Sequence, residues 1–568
     1  MNRNVESHFA QLPQVSISRS RLDRSHDHKT TFNTGSLIPI FVDEVLPGDT
    51  FSMDTAMVVR MSTPIHPVMD NAYLDLYYFF VPSRLVWDHF EEFMGANKSG
   101  PWTNQATYQI PEQKFGTVAS GGAVLANIPS KGSLLDYMGF PIMSMDEARR
   151  LVTSGSGHSI GVNALPIRAY CMIWNEWFRD ENLQDPIAFS TGDSGIVLRN
   201  LPSFNPNGMY AFLQSQNYSS GAYAPAPVAK YHDYFTSALP EPQKGDPVTI
   251  PLGDTAPVLA GDFLYVRNNS DNSLVSALDL GTNPGGVLSS TQFGNPGGYT
   301  PVHFDGLYAD LSQATAATIN NLRQAFQLQK LYERDARGGT RYTEILRSHF
   351  GVSSPDARLQ RPEYLGGKRI PINVSQVLQT SSTDETSPQG NTAAYSLTTD
   401  RSSSFTHSFV EHGYLLGLAC VRTDHTYQQG LEKFWSRKDR FDFYWPVFAN
   451  IGEQPIFNKE IYLQFNAQDD EVFGYQEAWA DYRYKPNRVS GAFRSSYQTS
   501  LDVWHYADYY ESLPILGDDW IREDPYNLDR TLSVSWEKED QFIADFYFKC
   551  MCVRPMSVYS FPGLLDHH

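Results

Sequence analysis

Alternating apolar and polar positions near the start of the chain predict two β-strands. Between residues 51 and 61 every second side chain is apolar or threonine, and most of the side chains between them are polar. The predicted buried face consists of Phe51, Met53, Thr55, Met57, Val59 and Met61. Because a strand places successive side chains on opposite faces, this pattern indicates a strand with one face in a core. A second strand is predicted from Ala72 to Val81, where Pro82 and Ser83 end it.

Helical spacing of apolar residues appears in the long stretch that follows. Side chains three and four positions apart share one face of a helix, and a proline before them or a glycine after them marks its ends. Three such faces, which we interpret as core, are Val86, Phe90, Phe93 and Met94 before Gly95, then Ile167, Tyr170, Cys171, Trp174, Trp177 and Phe178 after Pro166, and Ile319, Leu322 and Phe326 before Gly338 and Gly339.

Strand-like segments return after residue 400 and continue to the end of the chain. In chain order they are SFVEHGYLLGLACVRTD, EIYLQF, TLSVSW, FIADFYFKCMCV and VYSFPG. Strands thus lie at both ends of the chain, with helices and loops between them, and do not alternate with helices as in a parallel sheet. The predicted fold class is mainly β, an antiparallel sandwich with long insertions between its strands.

Residues 205–300 differ in composition from the rest of the chain. They contain 11 Gly and 10 Pro among 96 residues and no Trp or Cys, whereas the whole chain has 40 Gly and 35 Pro in 568 residues. Such a segment favours turns and has few side chains with which to fill a core. We therefore predict an exposed, loop-built insertion.

Aromatic content and charge add two constraints. With 34 Phe, 32 Tyr and 10 Trp, aromatic residues make up 13% of the chain, which favours strands and subunit interfaces. The chain has 44 Lys and Arg against 63 Asp and Glu, and its net charge of −19 repels a polyanion overall. Contact with nucleic acid therefore requires a local cluster of positive charge.

The clearest such cluster interleaves basic and aromatic residues. Arginine and lysine pair with phosphates, and tyrosine stacks on unpaired bases. The candidate nucleic-acid residues are Arg483, Tyr484, Lys485, Arg488 and Arg494. Subunit interfaces favour the same residue types, so burial against a neighbouring copy is an equal alternative. A second basic stretch, residues 330–369, alternates in charge and predicts salt bridges.

Chemistry is only weakly indicated. Two groups of possible metal ligands are His26, Asp27 and His28, and Asp518, Asp519, Glu523 and Asp524. Neither group has the ligand spacing of a structural zinc site or a calcium loop. We expect no metal and no other cofactor. Because hydrolase and phosphate-loop motifs are missing from the sequence, we also expect no enzyme.

Cysteine usage and hydropathy limit the compartment. The four cysteines are scattered apart from Cys550 and Cys552, whose spacing places both thiols on one face of a strand, so a disulfide framework is not expected. The N-terminal residues contain no apolar core of a signal peptide, and the longest apolar run, Tyr414 to Val421, is too short to span a bilayer. We expect neither secretion nor membrane insertion.

Several long blocks resemble one protein family. They include HDHKTTFNTGSLIPIFVDEVLPGDTF at 26–51, YFFVPSRLVWDHFEEFMG at 78–95, LPIRAYCMIWNEWFRDENLQDP at 165–186 and VFGYQEAWADYRYKPNRVSGAFR at 472–494, with further blocks at 328–367 and 413–456. Together these blocks resemble the major capsid proteins of the Microviridae, specifically the gokushovirus branch of small single-stranded DNA phages. The resemblance runs from about residue 26 to the C-terminus and skips 205–300.

The resemblance implies an eight-stranded antiparallel jelly roll with long interstrand insertions, and a T=1 shell of about sixty copies around circular single-stranded DNA. It implies a virion protein that is assembled in the cytoplasm of a bacterial host. The implied partners are further copies of the chain, an internal scaffolding protein, a small basic DNA-binding protein, a pilot protein, the packaged DNA and a host receptor. Residues 1–30 are interpreted as an extended arm, and 31–568 as a single domain interrupted by 205–300.

In gokushoviruses an insertion of the jelly roll forms protrusions at the three-fold axes, and 205–300 is the candidate here. Exposed loops on a rigid scaffold often carry recognition residues. The candidate host-contact residues are Tyr210, Tyr218, Tyr223, Tyr231, Tyr234 and Phe235. The alternative is that these aromatics pack the insertion against its symmetry mates. A β-sandwich protein that binds or cleaves glycans is the alternative function.

Overall fold

The computed structural model describes residues 18–96, 107–119, 123–126, 129, 131–142, 144, 146–147, 159–195, 203–204, 222–246, 248, 258–268, 281–282, 288–289, 302–309, 319–339, 341–353, 355, 360–381, 383 and 388–559. In these residues most ladders are antiparallel, and short helices lie between the strands. The prediction of a β-rich fold is confirmed.

The strands of the described residues are β1 Ser20–Asp23, β2 His26–Phe32, β3 Ile38–Val45, β4 Thr50–Met61, β5 Ala72–Pro82, β6 Glu112–Ala119, β7 Ala123–Ala126, β8 Ser159–Asn163, β9 Ser203–Phe204, β10 Ala222–Tyr223, β11 Val258–Asn268, β12 Gly281–Thr282, β13 Leu288–Ser289, β14 Val302–Ala309, β15 Glu363–Pro371, β16 Val374–Leu378, β17 Thr392–Ser396, β18 Thr398–Ser408, β19 Gly413–Thr423, β20 Thr426–Tyr427, β21 Glu453–Phe457, β22 Val472–Glu477, β23 Asn487–Arg488 and β24 Phe542–Arg554.

The α-helices of the same residues are α1 Ser83–Val86, α2 Phe90–Phe93, α3 Leu134–Tyr137, α4 Leu165–Ile173, α5 Ile319–Gly338, α6 Tyr342–Phe350, α7 Asn458–Ile461, α8 Ala480–Arg483, α9 Asp518–Ile521 and α10 Tyr526–Asp529. A π-helical turn, Trp174–Phe178, continues α4. Short 3-10 turns lie at Lys433–Ser436, Arg440–Asp442, Pro446–Phe448, Ala467–Asp470, Gly491–Phe493 and Asp502–Trp504. Within the described residues no helix is both long and apolar enough to cross a bilayer.

Two antiparallel sheets form the centre of the larger part of the chain. The first has the order β2-β24-β4-β18, and β1 pairs with β24 on the same edge as β2. The second has the order β15-β5-β19-β3. Strands from the two ends of the chain are therefore neighbours, because β2 and β4 both pair with β24.

The two sheets enclose one hydrophobic core. The alternation predicted for residues 51–61 is confirmed, because every second residue of β4 from Phe51 is buried. The same alternation runs along β24, where Phe546, Phe548 and Cys550 are fully buried. Aromatic contacts join the sheets, and the ring centroids of Phe41 in β3 and Phe548 in β24 are 5.2 Å apart. The result is a sandwich whose sheets face each other through their buried side chains.

The second sheet is also covered on its other face. There α4 and the following π-turn pack against β5 and β19, so the helical face predicted after Pro166 is confirmed as core. Strand β19 is consequently buried on both faces, which explains its continuous apolar sequence. A side chain at Gly417 would lie 2.8 Å from the ring of Tyr78 and 2.9 Å from Cβ of Phe41, so this position requires glycine.

The chain divides into two compact units. The larger comprises Met1–Pro242 and Ala336–His568, and the smaller comprises Gln243–Asp335. In the smaller unit β11 pairs with β14, and β12 pairs with β13. The predicted insertion of 205–300 differs from this division, because the described residues 222–242 belong to the larger unit.

Some sequence predictions require correction. Residues 20–23 and 26–30 of the predicted arm lie in β1 and β2 of the first sheet, while residues 1–17 lie outside the described residues. Two predicted strands are not formed: EIYLQF starts in the last turn of α7 and continues as a loop, and TLSVSW consists of turns and bends. Leu322 and Phe326 of α5, which were predicted as core, are 37% and 63% exposed.

Candidate nucleic-acid interface

The predicted basic and aromatic cluster lies in irregular structure. It runs from α8 through the short strand β23 to the turn Gly491–Phe493. Strand β23 pairs in parallel with β20, which follows directly on the buried β19. Short elements of this kind leave long side chains free to point away from the core, and Tyr484, Lys485 and Arg488 are largely exposed.

Four of the five predicted residues line one cavity of about 480 Å³. They are Tyr484, Lys485, Arg488 and Arg494. Arg483 lies outside this cavity, because its guanidinium group pairs with Glu477 at 3.1 Å and donates to the backbone oxygen of Ala478.

A carboxylate partly neutralises this group of cations. Glu432 accepts hydrogen bonds from both Lys485 and Arg488, the second from Nη1 to Oε1 at 2.6 Å. The hydrogen bond from Lys485 is the largest cause that holds the pKa of Glu432 below its usual range. Arg494 instead donates to the backbone oxygen of Gln428. A phosphate entering the cavity would compete with one carboxylate for two cations.

The buried Tyr234 and Phe235 form part of the remaining wall of the cavity, and another part comes from a segment that carried no sequence prediction. It supplies Lys433, Phe434, Trp435 and Arg437, about fifty residues before the predicted cluster. Its sequence, KFWSRK, shows the same interleaving of basic and aromatic residues, and that signal could have identified it. Across the whole wall, five cations face three carboxylates. The mixture of positive charge and aromatic rings suits a phosphate and an unstacked base.

The basic stretch 330–369 forms salt bridges, as predicted. Arg337 pairs with Glu453, Arg341 with Glu181 and Lys368 with Asp400. Because these ion pairs form within one chain, they neutralise part of the positive charge of the stretch.

The predicted host-contact residues are not brought together on one surface. Tyr210 and Tyr218 lie outside the described residues, and Tyr223 is partly buried against the core beneath α4. Tyr234 and Phe235 are only 7% and 2% exposed, so the prediction that they are exposed is wrong. They pack in a third hydrophobic cluster with Tyr427 and Phe473, because the turn around Asp233 directs them inward.

Tyr231 takes part in a charged cluster. The guanidinium carbons of Arg369 and Arg422 lie 3.9 and 4.1 Å from its ring centroid. Both arginines pair with the buried Asp75, and the Tyr231 hydroxyl donates to the same carboxylate at 2.8 Å. Burial raises the pKa of Tyr231. Tyr231, Tyr234 and Phe235 are therefore engaged within the chain and do not support host contact, which stays a prediction for this part of the chain.

A buried ionic cluster, also missed from the sequence, joins three distant segments. His425 Nδ1 lies 3.2 Å from Asp508 Oδ2, and its Nε2 lies 3.0 Å from Glu523 Oε2. Lys230 approaches the same Asp508 carboxylate at 3.5 Å. Burial disfavours the imidazolium, but the two carboxylates outweigh it and raise the pKa of His425 to about 10. Two cations and two carboxylates thus balance inside the protein.

The possible metal ligands do not converge. Nδ1 of His26 donates to the backbone oxygen of Arg24, and Nδ1 of His28 donates to that of Ile40. Asp518 pairs with Arg522, whereas Glu523 belongs to the buried cluster of His425. Among the residues that the structure describes, no group of three or more His, Cys, Asp and Glu side chains could hold a metal ion.

Comparison with known proteins identifies relatives along almost the whole chain. The phage F family, described as capsid protein (F protein), matches residues 10–564. The capsid protein VP1 of Bdellovibrio phage phiMH2K is 43% identical over 99% of this chain and 98% of its own length. The capsid proteins VP1 of Chlamydia phage 1 and Spiroplasma virus 4 are 40% and 41% identical, over 99% and 98% of this chain and 98% and 97% of their own lengths.

Proposed function

The chain belongs to the phage F capsid protein family, and from this membership we propose that it closes a T=1 shell of about sixty copies around circular single-stranded DNA. The resemblance to the major capsid proteins of the Microviridae is confirmed, and the chain is a component of the virion that assembles with copies of itself. The family match over residues 10–564 is the observation that carries the proposal. It also leaves the alternative of a glycan-binding or glycan-cleaving sandwich without support, and we propose a structural role with no enzymatic activity.

The fold that we propose is the eight-stranded viral jelly roll. What supports it is the order of the strands in the two sheets, β2-β24-β4-β18 and β15-β5-β19-β3. Numbered along the chain, these eight strands place first, eighth, third and sixth in one sheet and fifth, fourth, seventh and second in the other. The long connections, between β5 and β15 and between β19 and β24, carry helices and loops, and they also add Tyr137, Tyr506 and Leu528 to the sandwich core.

Assembly is tested most directly by electron microscopy of material from infected cells. We expect closed, uniform particles that contain this chain as their main protein. A chain found only as a monomer or dimer in such cells would refute the shell. We further propose that assembly takes place in the host cytoplasm, with an internal scaffolding protein, a small basic DNA-binding protein and a pilot protein as partners.

We propose that the cavity lined by Tyr484, Lys485, Arg488 and Arg494 contacts the packaged DNA. Its support is the excess of cations and the aromatic wall. Replacing Lys485 and Arg488 together by Gln should lower the DNA content per particle and lower particle stability, and the difference from wild type should be largest at low salt, where ion pairs with phosphate are strongest. Lys368→Gln, which removes an exposed cation paired with Asp400, is the matched control. A particle reconstruction with these basic residues on the outer surface would contradict the proposal.

Host attachment through the insertion 205–300 is a further proposal. Its support is composition, together with the compact unit Gln243–Asp335 that overlaps it. Exchanging the insertion for that of a related phage should preserve particles and change the host range. Loss of assembly in the exchanged phage would indicate that the insertion serves the shell first.

A further inference from the structure

Residues 438–447 form a run of ten consecutive exposed residues in the larger unit, which we name the aromatic segment. Five of the ten are large apolar residues. Their exposed fractions are 58% for Phe441, 51% for Phe443, 44% for Tyr444, 49% for Trp445 and 87% for Val447. Aromatic side chains usually lie in cores and interfaces, so this amount of exposure in one segment indicates a surface that is covered in the assembled protein.

The aromatic segment has a defined shape. The backbone nitrogen of Asp442 donates to the backbone oxygen of Asp439 at 3.0 Å, which closes a 3-10 turn, and the Asp442 carboxylate accepts from the backbone nitrogen of Asp439 at 2.9 Å. The indole nitrogen of Trp445 donates to the backbone oxygen of Arg440 at 2.8 Å. The ring of Tyr444 packs against Trp479, with 5.8 Å between the ring centroids. Because these hydrogen bonds and the contact with Trp479 already fix the conformation of the segment, little conformational entropy is lost when a partner covers it.

The exposed area is large enough to matter for association. An aromatic side chain carries roughly 150–250 Å², so four rings at about half exposure leave roughly 400 Å² of apolar surface in water, and Val447 adds to it. Ile451, at 51%, extends the exposed apolar surface beyond the segment. A standard interface buries about 800 Å² on each partner. The segment alone thus supplies about half of one partner's share.

Charge distinguishes between possible occupants. In the aromatic segment Lys438 and Arg440 are balanced by Asp439 and Asp442, so it has no net charge with which to attract DNA. The whole chain carries −19, and two copies repel each other at long range. A neutral apolar surface is therefore the place where two copies can meet with the smallest electrostatic cost.

We propose that the aromatic segment is a contact surface between two copies of this chain in the assembled shell. The inference rests on the proposed function, since a closed shell of identical subunits must bury equivalent surfaces on every copy. It goes further by assigning one of those surfaces to ten residues. Interfaces between identical subunits are the most apolar class, in agreement with this composition.

The first test introduces a charge at a position whose side chain is largely exposed in the single subunit and does not contribute to its core. Val447→Lys, made in the phage genome, should lower the yield of particles from infected cells at least tenfold, because a lysine would be buried at the contact. The melting temperature of the subunit should stay unchanged, since Val447 is 87% exposed. Val410→Lys is the matched control, a valine of equal exposure outside the segment. A normal yield of Val447→Lys particles would overturn the proposal.

The second test identifies the occupant. A photoreactive benzoylphenylalanine in place of Phe443 is irradiated in intact particles, and the products are separated by mass and analysed as peptides. We expect a product of twice the chain mass of 64.1 kDa that contains only this chain. A cross-link to another polypeptide or to DNA, or no cross-link in intact particles, would overturn the proposal. In each of those cases the particles themselves uphold the shell function, whereas failure of the wild-type chain to form particles would remove that function.

Discussion

Replacing His425 by Gln removes the cation that two buried carboxylates share. The side chains of His425, Asp508 and Glu523 are 1%, 3% and 0% exposed, so water cannot replace the lost partner. Breaking a buried ion pair by removing one member costs about 3–5 kcal/mol. We expect the free energy of unfolding of His425→Gln to fall by this amount near pH 6.

The pH dependence gives a sharper test. Because the folded chain raises the pKa of His425 from 6.5 to about 10, protonation stabilises the fold fully below about pH 6.5 and this stabilisation is lost as the pH rises through 10. Between these values the difference between wild type and His425→Gln should shrink by about 1.4 kcal/mol per pH unit. From about pH 6.5 to about pH 9 the total change is about 3 kcal/mol.

Urea unfolding followed by tryptophan fluorescence, at steps from about pH 6 to about pH 9, measures this difference. His232→Gln, at an exposed histidine, is the matched control and should leave the unfolding midpoint almost unchanged. A difference that does not vary with pH would mean that the pKa of His425 is not raised. A difference that grows with pH would mean that the histidine is neutral in the folded chain, and either result would refute the reasoning.

Three further predictions concern the core and its charges. Asp75→Asn should lower the free energy of unfolding by about 3–5 kcal/mol, and Asp400→Asn, whose partner Lys368 is 42% exposed, by less than about 1 kcal/mol, both by urea unfolding. Phe546→Ala should cost about 3–5 kcal/mol, whereas Tyr547→Ala, on the 47% exposed side of the same strand, should cost far less in the same assay. All four thiols are buried, with pKa values raised by burial, and should react with Ellman's reagent only after unfolding; fast reaction of the native chain would contradict this.

The central strands could be predicted from the sequence because their information is local. In β4 the alternation of apolar and polar side chains indicates which face is buried. In β19 the continuous apolar run is consistent with burial on both faces. The same holds for the helix after Pro166, whose apolar residues recur at helical spacing. The long blocks of family resemblance added the fold and the capsid function, and the family comparison confirms the second of these.

The tertiary structure alone decided which side chains meet. Glu432 reaches Lys485 and Arg488 across more than fifty residues, and His425 meets Asp508 and Glu523, although no spacing along the chain indicates either cluster. The exposure predicted from composition for Tyr234 and Phe235 is wrong. Nearby glycine and proline residues indicate turns, but they do not determine whether a turn lies on the surface or packs against a core. Periodicity records the orientation of a side chain relative to its own element, whereas burial and pairing depend on segments that approach only when the whole chain folds.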